Sequence, residues 1–389
     1  MTSATATRAP SERQFAALVD ALAADPGRRD ELIRLLREDH PYYRQRGSAA
    51  IVRMRGWVLL AVARGELPDA ALIFILEELD TGLDPYLVAA AARALRSHPR
   101  PDAAFAPFLV RALSNIRSRD EPVSFESYGE YATSTAGTSP GREVLATLIW
   151  LGPHARGVRG DLQSLRGQGG LSRKLRLDLD RALLATVADQ PNDAGPHACC
   201  GGMPDGTGNV SVVAAEHRVT SGPVDALMLE DHAGVRISFG EFFKGQPSIV
   251  VFFYTRCDNP LKCSLTIAKL ARVQKLLESQ GLAERIRTAA ITYDPGFDLP
   301  ARLRVYGQDR GVRMDAGHRM LRTVDDGEAL RRYFELGVNF VESLVNRHRI
   351  EIYILDAEGR IAVSFERLHW DEEQVVTRAV ETLKEKEVW

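Results

Sequence analysis

The stretch Ile249 to Tyr254 restricts this chain more than any other: Ile-Val-Val-Phe-Phe-Tyr is an unbroken apolar run. It lacks the alternation of a half-exposed strand and predicts one buried on both faces. Such a strand belongs in the middle of a sheet covered by helices on each side. The residues that follow fit that setting. A helix presents Ile267, Leu270, Val273 and Leu277 inward, a strand spans 288–293, and a second helix begins over 299–306. Residues 350–355 alternate, turn at 356–359 and return through Ile361, Val363 and Phe365, which predicts a hairpin. A last helix runs from about 371 to 384. The order β-α-β-α-β-β-α implies a mixed central sheet flanked by helices, as in a thioredoxin-like domain.

The other half of the chain reads differently, as helix after helix. Ser11 and Gln14 form a capping-box pattern ahead of Phe15, Leu18, Val19 and Leu22, and Pro26-Gly27 ends that helix. Pro68 is placed in the first turn of a helix carrying Leu72, Ile75, Leu76 and Leu79. Asp84-Pro85 opens one with Leu87, Ala91 and Leu95, and Ser139-Pro140 opens one with Val144, Leu145, Leu148 and Ile149. Leu175, Leu179, Leu183 and Val187 mark the last. Proline in a first turn forfeits no hydrogen bond, so these starts are chemically sound. Short helices with alanine-rich faces predict antiparallel pairs packed side by side. Residues 84–98 and 139–151 most clearly resemble HEAT-type repeats, interrupted by a polar insertion over 117–139 with Phe125, Tyr128 and Tyr131. The expectation is an all-α, HEAT-like domain over 11–189 whose surface docks a protein partner.

Between the halves the composition changes. Residues 190–209, QPNDAGPHACCGGMPDGTGN, are rich in Gly, Pro, Asn and Asp and show no periodicity. They predict a flexible linker, taken as 190–222. His197, Cys199, Cys200 and Met203 lie within it and are soft or borderline metal ligands. The loop is thus either an auxiliary metal-capture or thiol-relay segment or a plain tether.

Composition narrows the class. At 389 residues the chain has room for two domains, and 45% hydrophobic with 26% charged residues is ordinary for a globular protein. A net charge of -2 gives no reason to expect a nucleic-acid partner. No apolar run approaches the ~18–20 residues that span a bilayer, and the N-terminus lacks a signal-peptide core, so the expected location is cytoplasmic. Four cysteines are too few for a disulfide scaffold, and their pairing as 199/200 and 257/263 points to metal binding or thiol redox work.

Chemistry is expected on the loop of Cys257 and Cys263, because it follows the carboxyl end of the buried strand, where open α/β sheets form their crevices. Cys263 should lie near a helix N-terminus, with Arg256 and Lys262 nearby, a setting that favours thiolate.

FFYTRC (252–257), Cys263, ITYDP (291–295) with Asp298-Leu299-Pro300, and His348 ahead of IEIYILDAEGR (350–360) together resemble the Sco/SenC copper chaperones of cytochrome oxidase assembly. The resemblance covers about 225 to the C-terminus and marks 223–389 as a thioredoxin-like Sco/SenC-type domain. It implies one copper ion held by Cys257, Cys263 and His348, with Asp294 in support. Five residues separate the cysteines here, whereas three separate them in the family. Thioredoxin-like reductases place a cis-proline near the position of His348, and no proline stands between Leu344 and Arg349. His318 and His369 are the other histidines of this half considered as ligands, without a positional argument. The leading expectation is a copper-binding Sco-like protein that delivers copper or couples it to thiol redox. The alternative is a thiol-disulfide oxidoreductase or thiol peroxidase-like enzyme in which Cys257 attacks and Cys263 resolves.

Overall fold

The computed structural model describes residues 10–125, 137–187, 223–325 and 327–387. Tyr128, Tyr131, His197, Cys199, Cys200, Met203 and the whole 190–222 linker lie outside them. The chain divides into two compact units, one holding α1–α9 and the other β1–β9 with α10–α14.

The helices of the first unit are α1 (Glu12–Ala24), α2 (Arg29–Arg34), α3 (Ser48–Val62), α4 (Asp69–Thr81), α5 (Pro85–Leu95), α6 (Ala106–Asn115), α7 (Pro140–Leu151), α8 (Arg159–Gly167) and α9 (Arg173–Ala185). The starts of α1, α5 and α7 are set locally. Ser11 accepts from the Gln14 N–H in a complete capping box, Asp84 accepts from the Tyr86 and Leu87 N–H groups, and Ser139 accepts from the Arg142 N–H. The odd-numbered helices α1, α3, α5, α7 and α9 pack in a row, with α4 against α6 beside them. α5 is the middle of that row because its face is small: Ala89 to Ala92 and Ala94 are all buried, which lets neighbours close on it. Gly56 of α3 faces the Tyr86 ring of α5 so closely that an added Cβ would stand 2.2 Å from a ring carbon.

Two sequence expectations are corrected. Pro68 is the N-cap of α4 and not part of its first turn, because its extended backbone (φ -75°, ψ 144°) ends the preceding loop. Val187 lies beyond α9 and is half exposed; Ala182 takes the inward position instead, since the helix stops at Ala185.

This unit also buries a charge cluster. Arg55 of α3 is fully enclosed, with Nη2 3.0 Å from Glu38 and 3.3 Å from Glu78, and it donates to the Leu36 carbonyl. Burying an isolated guanidinium is prohibitive; two carboxylates make it tolerable.

The second unit is a seven-stranded sheet of order β2-β1-β5-β4-β3-β8-β9. Its strands are β1 (Met228–Asp231), β2 (Arg236–Ser238), β3 (Ser248–Phe253), β4 (Arg287–Thr292), β5 (His318–Thr323), β8 (Glu351–Leu355) and β9 (Ile361–Glu366), with β6 (Val338–Val341) and β7 (Leu344–His348) as a separate two-stranded hairpin. The helices are α10 (Phe239–Phe243), α11 (Leu265–Ser279), α12 (Pro300–Gln308), α13 (Glu328–Tyr333) and α14 (Glu372–Glu387). β3 is buried along its full length, as its apolar run requires, between parallel β4 and antiparallel β8.

β8 departs from the sequence reading. An alternating strand should show one face to water, yet Glu351 and Tyr353 are as buried as Ile352 and Ile354. Specific partners replace water there: Glu351 accepts from Arg349 Nε at 2.6 Å and from the Gly337 N–H at 2.8 Å, and Tyr353 donates to the Phe334 carbonyl at 2.7 Å. β5 is a central strand that sequence periodicity passes over, because His318, Arg319 and Arg322 break its apolar character. Among the described residues no helix is long and apolar enough to cross a membrane.

Candidate functional site

Strand direction decides which side chains meet. β3 runs parallel to β4 and ends at Phe253, delivering the chain into the loop of Cys257. β8 pairs antiparallel to β3 with Ile352 opposite Val251, so its beginning lies beside the end of β3. His348 closes β7 three residues before β8 and is therefore carried to the cysteine loop across 91 residues of sequence.

The three side chains converge. His348 Nε2 lies 3.6 Å from Cys257 Sγ and 3.3 Å from Cys263 Sγ, and all three donor atoms fall within 4.8 Å of one another. The cysteines are free thiols; Cys263 and His348 are buried, while Cys257 is partly open. Cys263 sits in a single π-type turn, Pro260–Ser264, that leads into α11. That turn absorbs the longer spacing between the cysteines and still points both sulfurs at the histidine.

The imidazole orientation follows from its other nitrogen. Nδ1 lies 2.9 Å from the Arg349 carbonyl oxygen, which only accepts, so Nδ1 carries a hydrogen and Nε2 is the nitrogen turned to the sulfurs. That is the tautomer a metal-binding histidine needs. Tyr254 and Tyr293 wall the ring, each with its centroid 5.4 Å from that of His348.

The two thiols are unequal, in the opposite sense to the sequence expectation. Cys257 is pulled well below the usual thiol range, by a hydrogen bond from Cys263 first and then by His348, against the penalty of burial. Cys263 is pushed well above it, by complete burial and by the neighbouring Cys257. Burial at Cys263 outweighs the helix N-terminus. Arg256 contributes elsewhere: its guanidinium pairs with Asp294 and lies 3.9 Å from the Phe297 ring centroid.

Supporting groups fix the loop. Asp298 is fully buried and accepts from the Thr255 N–H at 3.0 Å and from the hydroxyls of Thr255 and Thr292, tying the ends of β3 and β4 together. Lys262 is buried, and its ammonium donates to the His348 carbonyl at 2.9 Å. Behind the histidine, Arg349 pairs with Glu351 at 2.6 Å and Glu366 at 2.7 Å, and Glu351 also accepts from the Tyr293 hydroxyl. Gly337 leaves the room Arg349 occupies; an added Cβ would stand 2.6 Å from the Arg349 side chain. The sequence reading passes over Arg349 and Glu351, although a glutamate inside an apolar strand is itself the signal of a buried pair. His318 is buried at the start of β5, 2.9 Å from the Thr288 hydroxyl, and neither it nor His369 belongs to the cluster.

The donor set suits a soft ion. Thiolate and imidazole donors stand ~2.0–2.3 Å from a bound d¹⁰ ion, so donors sharing one ion are ~3.5–4.5 Å apart. The His348 nitrogen, 3.3 and 3.6 Å from the two sulfurs, stands at or close to that spacing, and two sulfurs with one nitrogen favour Cu(I).

Residues 225–384 match the SCO1/SenC family. The helical unit lies outside that match. No curated protein sequence matches the chain. Among solved structures, yeast Sco1 is 26% identical, with 41% of this chain and 96% of that one covered and a TM-score of 0.33. ScoI of Bradyrhizobium japonicum, solved with copper bound, is 20% identical over 40% of this chain and 96% of its own, with a TM-score of 0.33. ScoI of Arabidopsis thaliana, also with copper bound, is 19% identical over 41% and 96%, at 0.34. The family match lies wholly within the α/β unit, whose fold is the thioredoxin-like one of that family.

Proposed function

We propose that this chain is a copper-binding protein of Sco type, which takes one copper ion as cargo on Cys257, Cys263 and His348 and passes it to a partner protein. The observation that carries this reading is the convergence of two sulfurs and a correctly tautomeric imidazole from segments distant in sequence. Each ligand has a distinct part. Cys263, buried and next to α11, is the fixed anchor. Cys257 is partly open and stays deprotonated most readily, so it is the ligand an incoming acceptor reaches first. The helical unit, read as HEAT-like, supplies the docking surface for that partner, and the expected setting is the cytoplasm.

The test is titration of the reduced chain with Cu(I) against a chromophoric chelator, in a Cys199→Ser/Cys200→Ser background. One equivalent should bind, and Cys257→Ser, Cys263→Ser and His348→Ala should each abolish it. Binding that survives all three defeats the assignment.

The inequality of the thiols favours a second reading. The Cys257 thiolate attacks a substrate disulfide, forming a mixed disulfide and releasing one substrate thiolate, which takes up a proton. Cys263, once deprotonated, attacks Cys257 Sγ and releases the second thiolate; the substrate is reduced by two electrons and the protein is oxidised to a Cys257–Cys263 disulfide. Reduction of a substrate disulfide by the reduced chain that is indifferent to chelators and lost in Cys257→Ser supports this reading over the first.

A further inference from the structure

We propose that Lys262 is a positioning residue for His348, holding the histidine's backbone against the cysteine loop so that the ligand set closes as one unit. A buried ammonium is costly unless its protons are bonded, so its position demands a return. Its Nζ donates to the His348 carbonyl at 2.9 Å, a link between the loop and β7 that uses no sulfur. The neighbouring residue Cys263 reaches the same histidine through its ring at 3.3 Å. Two consecutive residues of the loop therefore grip both ends of one residue, Lys262 the backbone and Cys263 the imidazole.

The rest of the loop supports this grip. The Asn259 side chain accepts from the Leu261 N–H at 3.0 Å, and the Lys262 N–H donates to the Asn259 carbonyl at 3.1 Å. These bonds fold the five residues between the cysteines into the turn that points the Lys262 side chain inward. On the far side, Arg349 is held by Glu351 and Glu366, so the chain immediately after His348 does not yield. The Arg349 carbonyl on Nδ1 holds the ring. Lys262 adds a bond to the His348 carbonyl from the cysteine loop. Arginine at this position keeps a donor for the carbonyl; methionine keeps the stem and removes the donor.

The experiment compares Lys262→Met and Lys262→Arg with the parent chain in two ways. The first is nitrogen NMR of the His348 ring in the metal-free protein, which reports tautomer and mobility without copper. The second is Cu(I) affinity by chelator competition. Lys262→Met should mix the two tautomers or broaden the ring signals, and weaken Cu(I) binding ~10–100-fold at unchanged stoichiometry, as loss of a group that orients a ligand does. Lys262→Arg should restore both. If the methionine variant unfolds, Lys262→Leu, which likewise lacks a donor, is read the same way. Ring signals and affinity equal to the parent in Lys262→Met or Lys262→Leu, or an arginine variant no better than methionine, overturn the proposal. The affinity arm rests on the copper reading, whereas the NMR arm does not: a parent chain that binds no Cu(I) removes the function and still leaves the brace to stand or fall on the ring signals.

Discussion

Each unit of this protein buries an arginine between two glutamates, and the two clusters do different things. In the helical unit Arg55 meets Glu38 and Glu78, and its remaining described bond goes to the backbone of Leu36. In the α/β unit Arg349 meets Glu351 and Glu366, and its own carbonyl receives Nδ1 of His348. The first cluster fastens a fold, while the second fastens a fold and aims the His348 imidazole. A buried ion pair is thus not in itself a mark of function; what it touches next decides.

Breaking either cluster should produce the largest effects. Arg55→Ala and Arg349→Ala each leave buried carboxylates uncompensated and should cost ~3–5 kcal/mol in the denaturant transition of their own unit. Only Arg349→Ala should also weaken Cu(I) binding, and an equal loss in Arg55→Ala would erase the contrast. His348→Ala separates aim from fold: Cu(I) affinity should fall by more than the ~100-fold expected of a supporting group, with the far-ultraviolet spectrum unchanged.

The two thiols give a pH test within the second unit. Ordinary thiols titrate near ~8.5 and react slowly with iodoacetamide at pH ~6. Cys257 is depressed below that range, so it remains thiolate and should be alkylated at pH ~6, whereas Cys263, raised and buried, should stay unmodified until the domain is denatured. Mass spectrometry of the peptides reads both. Raising the pH from 6 to 8 should change the Cys257 rate far less than that of a free cysteine. The smallest effect belongs to the helical unit: Ser11→Ala removes the capping box of α1 and should lower that unit's stability by ~1 kcal/mol while leaving the α/β transition where it is.

Much of the fold was legible because it is written in local chemistry. The apolar run became β3, Asp84 and Ser139 became helix caps, and the turn over 356–359 joined β8 to β9. β5 was not legible, because its charged residues are satisfied by partners from elsewhere: Arg319 by Asp231 at 2.6 Å, and Arg322 by Glu230 and by the Pro295 carbonyl at 3.0 Å. Glu351 misled in the same way, since its alternation with apolar neighbours describes a half-wet strand and its partners make it dry.

The sequence by itself singled out Cys257, Cys263 and His348 as the candidates, because cysteine is scarce here and a motif resemblance picks out these three. Tertiary structure decided how they act. It depresses the Cys257 thiol and raises the helix-proximal Cys263, since burial depends on what packs around a sulfur and no window of sequence records that. It also set the tautomer of His348 through one carbonyl and brought Lys262 to its backbone. Hydrogen bonds between segments 86 residues apart in sequence are fixed by strand register, which exists only once the sheet has formed.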